Sequence, residues 1–168
     1  GLKVVVIREE NKIDGLCNSI TTLGKLLNKS DLAKQKVKDI QSRLNHVRRG
    51  MEGVQTNKKV YYVVGFGDAS DYTAPPTSHI HEIITTAGGS NIGAKLTSWN
   101  VSREYIFESD PDIIIIRNED MDAFVHTKPY SLLRAVRENK VYPIESGWID
   151  IVSPRNVLAV EYINKLLK

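Results

Sequence analysis

Apolar positions along this chain switch repeatedly between a strand period and a helix period. Val4-Val5-Val6-Ile7 is a short continuous apolar run and reads as a strand. Ile13, Leu16, Cys17, Ile20, Leu23 and Leu27 then recur at helical spacing, and the helix they predict ends near Gly24 to Asn28. Ser30 suits the N-cap of a second helix, with Asp31 in the first turn where the helix dipole favours an anion. From there Ala33, Val37, Ile40, Leu44, Val47 and Met51 form a narrow seam that Gly50 and Gly53 bring to a stop. A helix of this length spans ~30 Å. With only one thin apolar stripe, it reads as a brace across the structure rather than a core element.

The remaining pattern predicts a strand at Val60 to Val64 ending in Gly65-Phe66-Gly67, a loop over Asp68 to Pro76, and a helix over Ser78 to Ala87 closed by Gly88-Gly89. Residues 91–100 read as irregular, and Ser102 to Glu108 as a short helix. Next, Ser109-Asp110-Pro111-Asp112 supplies turn chemistry before the run Ile113 to Ile116. Four β-branched apolar residues in a row indicate a strand buried on both faces, hence a parallel sheet covered by helices. A loop over Arg117 to Lys128 then leads to a helix over Pro129 to Glu138, with Pro at the first position where its missing N–H costs nothing. Val141 to Ile144 is the last strand, and Pro143 assigns it to a sheet edge. Ser153-Pro154 open the C-terminal helix. The fold class is therefore α/β, a small parallel sheet with helices on both faces. Such sheets bind ligands at the carboxyl ends of their strands, which directs attention to Trp99 and to the residues after Ile116.

Composition narrows the picture. The 168 residues are 41% apolar and 26% charged, as in ordinary globular proteins. The net charge is +3, and the cations of the second helix (Lys34, Lys36, Lys38, Arg43, Arg48, Arg49) are interleaved with Asp31 and Asp39. That is a solvated face, and no nucleic-acid partner is expected. No apolar run approaches the ~18 residues of a membrane span. Cys17, the only cysteine, excludes an internal disulfide or a thiolate cage and reads as a small core residue. The chain opens without Met or a signal segment, so it is expected to be cut from something longer.

Sequential catalytic motifs are weak. His79 and His81 are two apart, and on a helix such residues diverge. Gly65-Phe66-Gly67 lacks the third glycine of a dinucleotide turn and reads as a tight turn after a strand. No nucleophile elbow of the Gly-x-Ser-x-Gly type is present. Glu104 reads as mid-helix after Ser102, and locally as a surface carboxylate. Trp99 and Trp148 both sit in irregular, polar surroundings, where an indole either plugs a core end or presents a flat face to a large ligand.

Taken in order, four stretches resemble the C-terminal lobe of the substrate-binding proteins of ABC importers for iron–siderophore, haem and cobalamin. They are Leu23-Gly24-Lys25-Leu26-Leu27 with the long helix after it; His79 to Asn91 with its Ala87-Gly88-Gly89-Ser90-Asn91 turn; Val101-Ser102-Arg103-Glu104 with Ser109 to Asp112 and the isoleucine run; and Leu133 to Val136 with Asn139 to Tyr142, Ser146-Gly147-Trp148 and Ser153-Pro154-Arg155. The resemblance covers nearly the whole chain. It divides residues 1–29 (remnant of a first lobe, with Val4 to Ile7 its last strand), 30–53 (inter-lobe helix) and 54–168 (second lobe).

The resemblance implies a non-enzymatic protein that captures a metal chelate in an inter-lobe cleft and delivers it to a membrane permease. A ferric siderophore stands first, with cobalamin or haem as alternatives, and no separate cofactor is implied. Tyr72, Trp99, Arg117 and Trp148 would line the cleft, and Glu104 would dock on the permease. The location implied is periplasmic, or lipid-anchored at the outer face of the cytoplasmic membrane. Since the first lobe is absent, half a site is expected, together with an apolar surface able to drive dimerisation. The rival is a chelatase-like or nitrogenase-like enzyme lobe, which needs a convergent His/Glu pair at a strand end.

Overall fold

A computed structural model describes residues 4–7, 12–51 and 57–168. Its main sheet contains β1 (Lys59–Val63), β3 (Ser90–Asn91), β5 (Ile113–Arg117) and β6 (Val141–Ile144), all parallel, in the order β3-β1-β5-β6. A separate antiparallel pair joins β2 (Asp71–Tyr72) to β4 (Asn100–Val101). Alternation along the central strands creates two cores. Val60, Tyr62, Ile113 and Ile115 face one, and Tyr61, Val63, Ile114 and Ile116 face the other. The run Ile113 to Ile116 is at most 3% exposed, as a doubly covered strand requires. Each such side chain contributes roughly 1.5–3 kcal/mol by leaving water.

The first core is roofed by α1 (Ile13–Leu26), α2 (Ser30–Gly50), α3 (His79–Thr86) and α8 (Asn156–Leu167). The second is closed by α4 (Arg103–Ser109), α5 (Met121–His126), a 3-10 turn at Tyr130–Leu132 and α6 (Arg134–Arg137). A further short helix, α7 (Ser146–Ile149), follows β6 and buries Ile149 in the first core. Cys17 is buried in that core, as expected.

Helices α1 and α2 form an antiparallel hairpin. Asn28 takes a left-handed conformation (φ 52°), and the Lys29 amide reaches back to the Gly24 carbonyl at 2.7 Å. Gly24 is required there, because a Cβ would lie 2.3 Å from the Ala33 methyl. This reversal also corrects the cap assignment: Lys29 occupies the N-cap, and Ser30 is already helical. The seam residues Ile40, Leu44 and Val47 join the first core, so the long helix is a core element along that stretch. Arg43 fastens it to α8 through two bonds to Glu161, at 2.8 and 2.7 Å.

Other sequence expectations are corrected as well. Val4, Val5 and Val6 are 80%, 58% and 78% exposed and belong to no strand, since no strand among the described residues pairs with them. Residues 91–100 hold a 3-10 helix (Ile92–Lys95) and parts of β3 and β4. The loop after β5 contains α5. The helix expected over Pro129 to Glu138 is broken at Leu133, whose extended backbone (φ −59°, ψ 139°) separates the 3-10 turn from α6. That break lets Tyr130, Leu133 and Ala135 all reach the second core. Helix α8 starts at Asn156, whose Oδ1 first closes a turn on the Ser153 amide at 2.9 Å. Gly53 lies outside the described residues. The edge position of β6 is as Pro143 demanded.

Candidate functional site

Val64, directly after β1, joins that strand's carboxyl end to β2 and to the end of β5. Its amide donates to the Tyr72 carbonyl at 3.0 Å, and its carbonyl accepts from Arg117 Nη2 at 2.9 Å. Tyr72 therefore sits in β2, folded back over the strand end and bridged to Gly65, rather than in a loop. Across the small sheet it pairs with Asn100, and the Thr73 amide donates to the Trp99 carbonyl at 2.9 Å. Tyr72 and Trp99 thus lie on adjoining backbone, and each residue is exposed, at 38% and 41%.

Arg117 ends β5 half-buried, with its nitrogens already engaged. Nε donates to Asp120 at 2.8 Å, Nη2 to Val64, and Nη1 faces Asp150 at 3.9 Å. Burial works against its charge, but Asp120 and then Asp150 outweigh burial and hold the group above its ordinary value. Asp150 also accepts from the buried Tyr62 hydroxyl. Arg117 is therefore a strut between β1, β5 and the end of α7. Trp148, on α7, is half-buried and leans edge-on against Tyr162 of α8, with ring centres 6.4 Å apart. It borders the first core and is separate from the Tyr72 and Trp99 pair in its contacts.

Glu104 lies in the first turn of α4 and is exposed. Its carboxyl is held below the ordinary glutamate range by its own backbone amide and then by the Ser102 hydroxyl. Ser102 is the N-cap and accepts from the Tyr105 amide at 3.1 Å. The result is a fixed, fully charged carboxylate on the molecular surface.

Between Tyr72 and Glu104 lies a cluster that sequence reasoning missed. Asp71 is only 4% exposed. One carboxylate oxygen accepts from the Tyr130 hydroxyl and from the Gly67 amide at 3.3 Å, and the other from Arg103 Nε at 3.1 Å. Arg103 Nη2 also donates to the Gly67 carbonyl, and its guanidinium lies 5.8 Å from the Tyr130 ring centre. Burial and then the bond to Asp71 raise the Tyr130 hydroxyl above its ordinary value and keep it a donor. One signal was available: an arginine at the first position of a helix opposes the dipole, so its charge must be met elsewhere.

The two histidines diverge as expected. His79 Nε2 meets the Ile149 carbonyl at 2.7 Å inside the fold, while His81 Nδ1 meets Asn91 at 3.1 Å. Among the described residues no group of three His, Cys, Asp or Glu side chains converges as a metal site would require.

A parallel sheet covered by helices on both faces places this chain among the layered α/β proteins. The sequence profile of the periplasmic binding protein family matches residues 1–146, and the chain belongs to that family. Among curated relatives, the cobalamin-binding protein of Halobacterium salinarum is 27% identical over 169 aligned residues, covering 94% of this chain and 45% of that protein. The chain thus spans less than half the length of that relative. Among solved structures, a possible iron-binding (periplasmic solute-binding) protein from Staphylococcus epidermidis superposes with a TM-score of 0.82 at 17% identity, covering 99% of this chain and 66% of that one. The periplasmic vitamin B12 binding protein of Vibrio cholerae gives 0.80 at 19% identity, covering 95% and 62%. These likenesses establish the fold.

Proposed function

We propose that this chain forms one wall of the ligand cleft of an ABC importer's substrate-binding protein, a non-enzymatic carrier of a metal chelate. In this reading residues 1–29 belong with a first lobe, 30–53 form the inter-lobe helix and 54–168 form the second lobe. The protein works in the periplasm, or lipid-anchored at the outer face of the cytoplasmic membrane. Tyr72 and Trp99 face the chelate, Trp148 borders the cleft, and Glu104 meets a cationic patch of the permease. An exposed charge of that kind steers and orients docking more than it adds affinity. A dimer closed over the exposed Leu23, Leu26, Leu27 and Leu32 belongs to the same proposal.

The observation that carries the reading is that Tyr72 and Trp99, on adjoining backbone, are both exposed, close in the fold to the helix that bears the exposed Glu104. The ligand it favours is a corrinoid ahead of a ferric siderophore or haem. Arg117 is already neutralised by Asp120 and Asp150, so it offers little to an anionic chelate. A corrinoid, with a broad flat body and a rim of neutral carboxamides, asks for aromatic faces and acceptors instead. The cobalamin-binding relative from Halobacterium supports the same choice.

The test is a fluorescence titration of a two-lobed protein containing this chain. Cyanocobalamin is expected to quench tryptophan emission and to bind at least tenfold more tightly than haem or a ferric hydroxamate. Trp99→Ala should blunt the quenching more than Trp148→Ala. Glu104→Ala should leave chelate affinity intact and lower uptake. No quenching by any of the three ligands would remove the proposal.

A further inference from the structure

We infer that Asp71, Arg103 and Tyr130 form a latch that couples the ligand-facing rings to the docking carboxylate; this rests on the functional reading above. Asp71 directly precedes Tyr72, and Arg103 directly precedes Glu104, so the ion pair between them at 3.1 Å joins the two functional residues by their immediate neighbours. The pair is reinforced by backbone register, since Asp71 lies opposite Val101 in the β2–β4 ladder, two residues before Arg103. Arg103 also grips the Gly67 carbonyl, while the Tyr130 hydroxyl and Asp71 share the Gly67 amide at 3.1 and 3.3 Å. Gly67 sits at φ +128°, a conformation that side-chain-bearing residues rarely adopt, so the turn requires glycine there and is held in shape by these bonds.

The arrangement has two consequences. A carboxylate this buried is tolerated only with its partners in place, so the turn, β2 and the start of α4 move as one body or not at all. Any shift of Tyr72 or Trp99 against a chelate is then delivered to the first turn of α4, where Ser102 and the backbone fix Glu104. Arg103 and Tyr130 are positioning residues: they touch neither ligand nor permease in this account, and they link the two.

Coupling of this kind is reciprocal, so it is measurable from either side. The experiment is cyanocobalamin affinity of the two-lobed protein, alone and docked on its permease in nanodiscs. In the native sequence the two dissociation constants should differ by about 5-fold or more. In Arg103→Gln the ratio should fall to within twofold of unity, whatever the affinity of the undocked protein. Tyr130→Phe removes the hydroxyl from Asp71 and from the Gly67 amide, and Arg103→Lys keeps the charge but loses the second grip on Gly67; both should give intermediate ratios. These two milder variants carry the test if Arg103→Gln fails to fold by near-ultraviolet circular dichroism. A native ratio of unity, or a native ratio retained in the variants that fold, overturns the latch. Absence of cyanocobalamin binding, or of docking, in the native two-lobed protein defeats the functional reading instead and takes the latch with it.

Discussion

Tyr61 carries a hydroxyl into the second core, where no acceptor among the described residues meets it. Burial, then the nearby Asp71 charge, pushes its phenol far above the ordinary range, so it stays neutral. An unsatisfied buried hydroxyl is a liability, and Tyr61→Phe keeps the ring against Phe124 while removing it. The substitution should raise stability by about 1 kcal/mol in urea denaturation; a loss would mean that the hydroxyl makes a hydrogen bond of its own. Asp71 is the opposite case, a charge with every bond met. It was not legible in the sequence because its partners lie 4, 32 and 59 residues away. Trp99 was half legible: its polar, irregular surroundings left an indole that either plugs a core end or stays exposed, and the residue is exposed. Arg117 was only half legible: its place at the end of β5 follows from the isoleucine run, but its capture by Asp120 and Asp150 depends on tertiary contacts.

At the level of elements, those with a long or uninterrupted pattern could be read directly. Strand β5 follows from its isoleucines, and the helices read over Ser78 to Ala87 and Ser102 to Glu108 are found as α3 and α4, where Ser78 and Ser102 each cap by accepting the amide three residues on. The edge position of β6 follows from Pro143. The stretch from Asn118 to Arg137 was not readable, because α5 has 6 residues and α6 has 4, too few for a helical period to show. The pairing of α2 with α8 was likewise invisible, although Arg43 and Glu161 make it a two-bond contact. Glu161 is held below its ordinary value first by its bond to Arg43. A depressed carboxylate contributes its stability above the unfolded value, near pH ~4.3, and loses it as pH falls through the folded value. Glu161→Gln should therefore cost about 0.5–1 kcal/mol at pH 7, as a partly exposed pair does. In parallel thermal melts the difference from the native protein should shrink as pH falls below ~4.3 and be gone once pH passes below the carboxyl's lowered folded value.

For the whole molecule, the proposed cleft has one wall here. Enclosed sites bury roughly 70–90% of a ligand's surface, and a single open face carrying Tyr72 and Trp99 covers far less. Cyanocobalamin should bind this 168-residue chain on the order of 100-fold more weakly than a two-lobed protein containing it, about 2.8 kcal/mol by calorimetry. Equal affinities would mean that this lobe suffices alone. The sheet's outline has a separate consequence. One margin is β3, only 2 residues long, and the other is β6, where Pro143 removes a donor. Strand edges of this kind are poor templates for adding foreign chains. The three water-exposed valines at Val4 to Val6, sticky and β-prone, therefore find no ready rung on a neighbouring copy, and the chain should resist growing into fibrils.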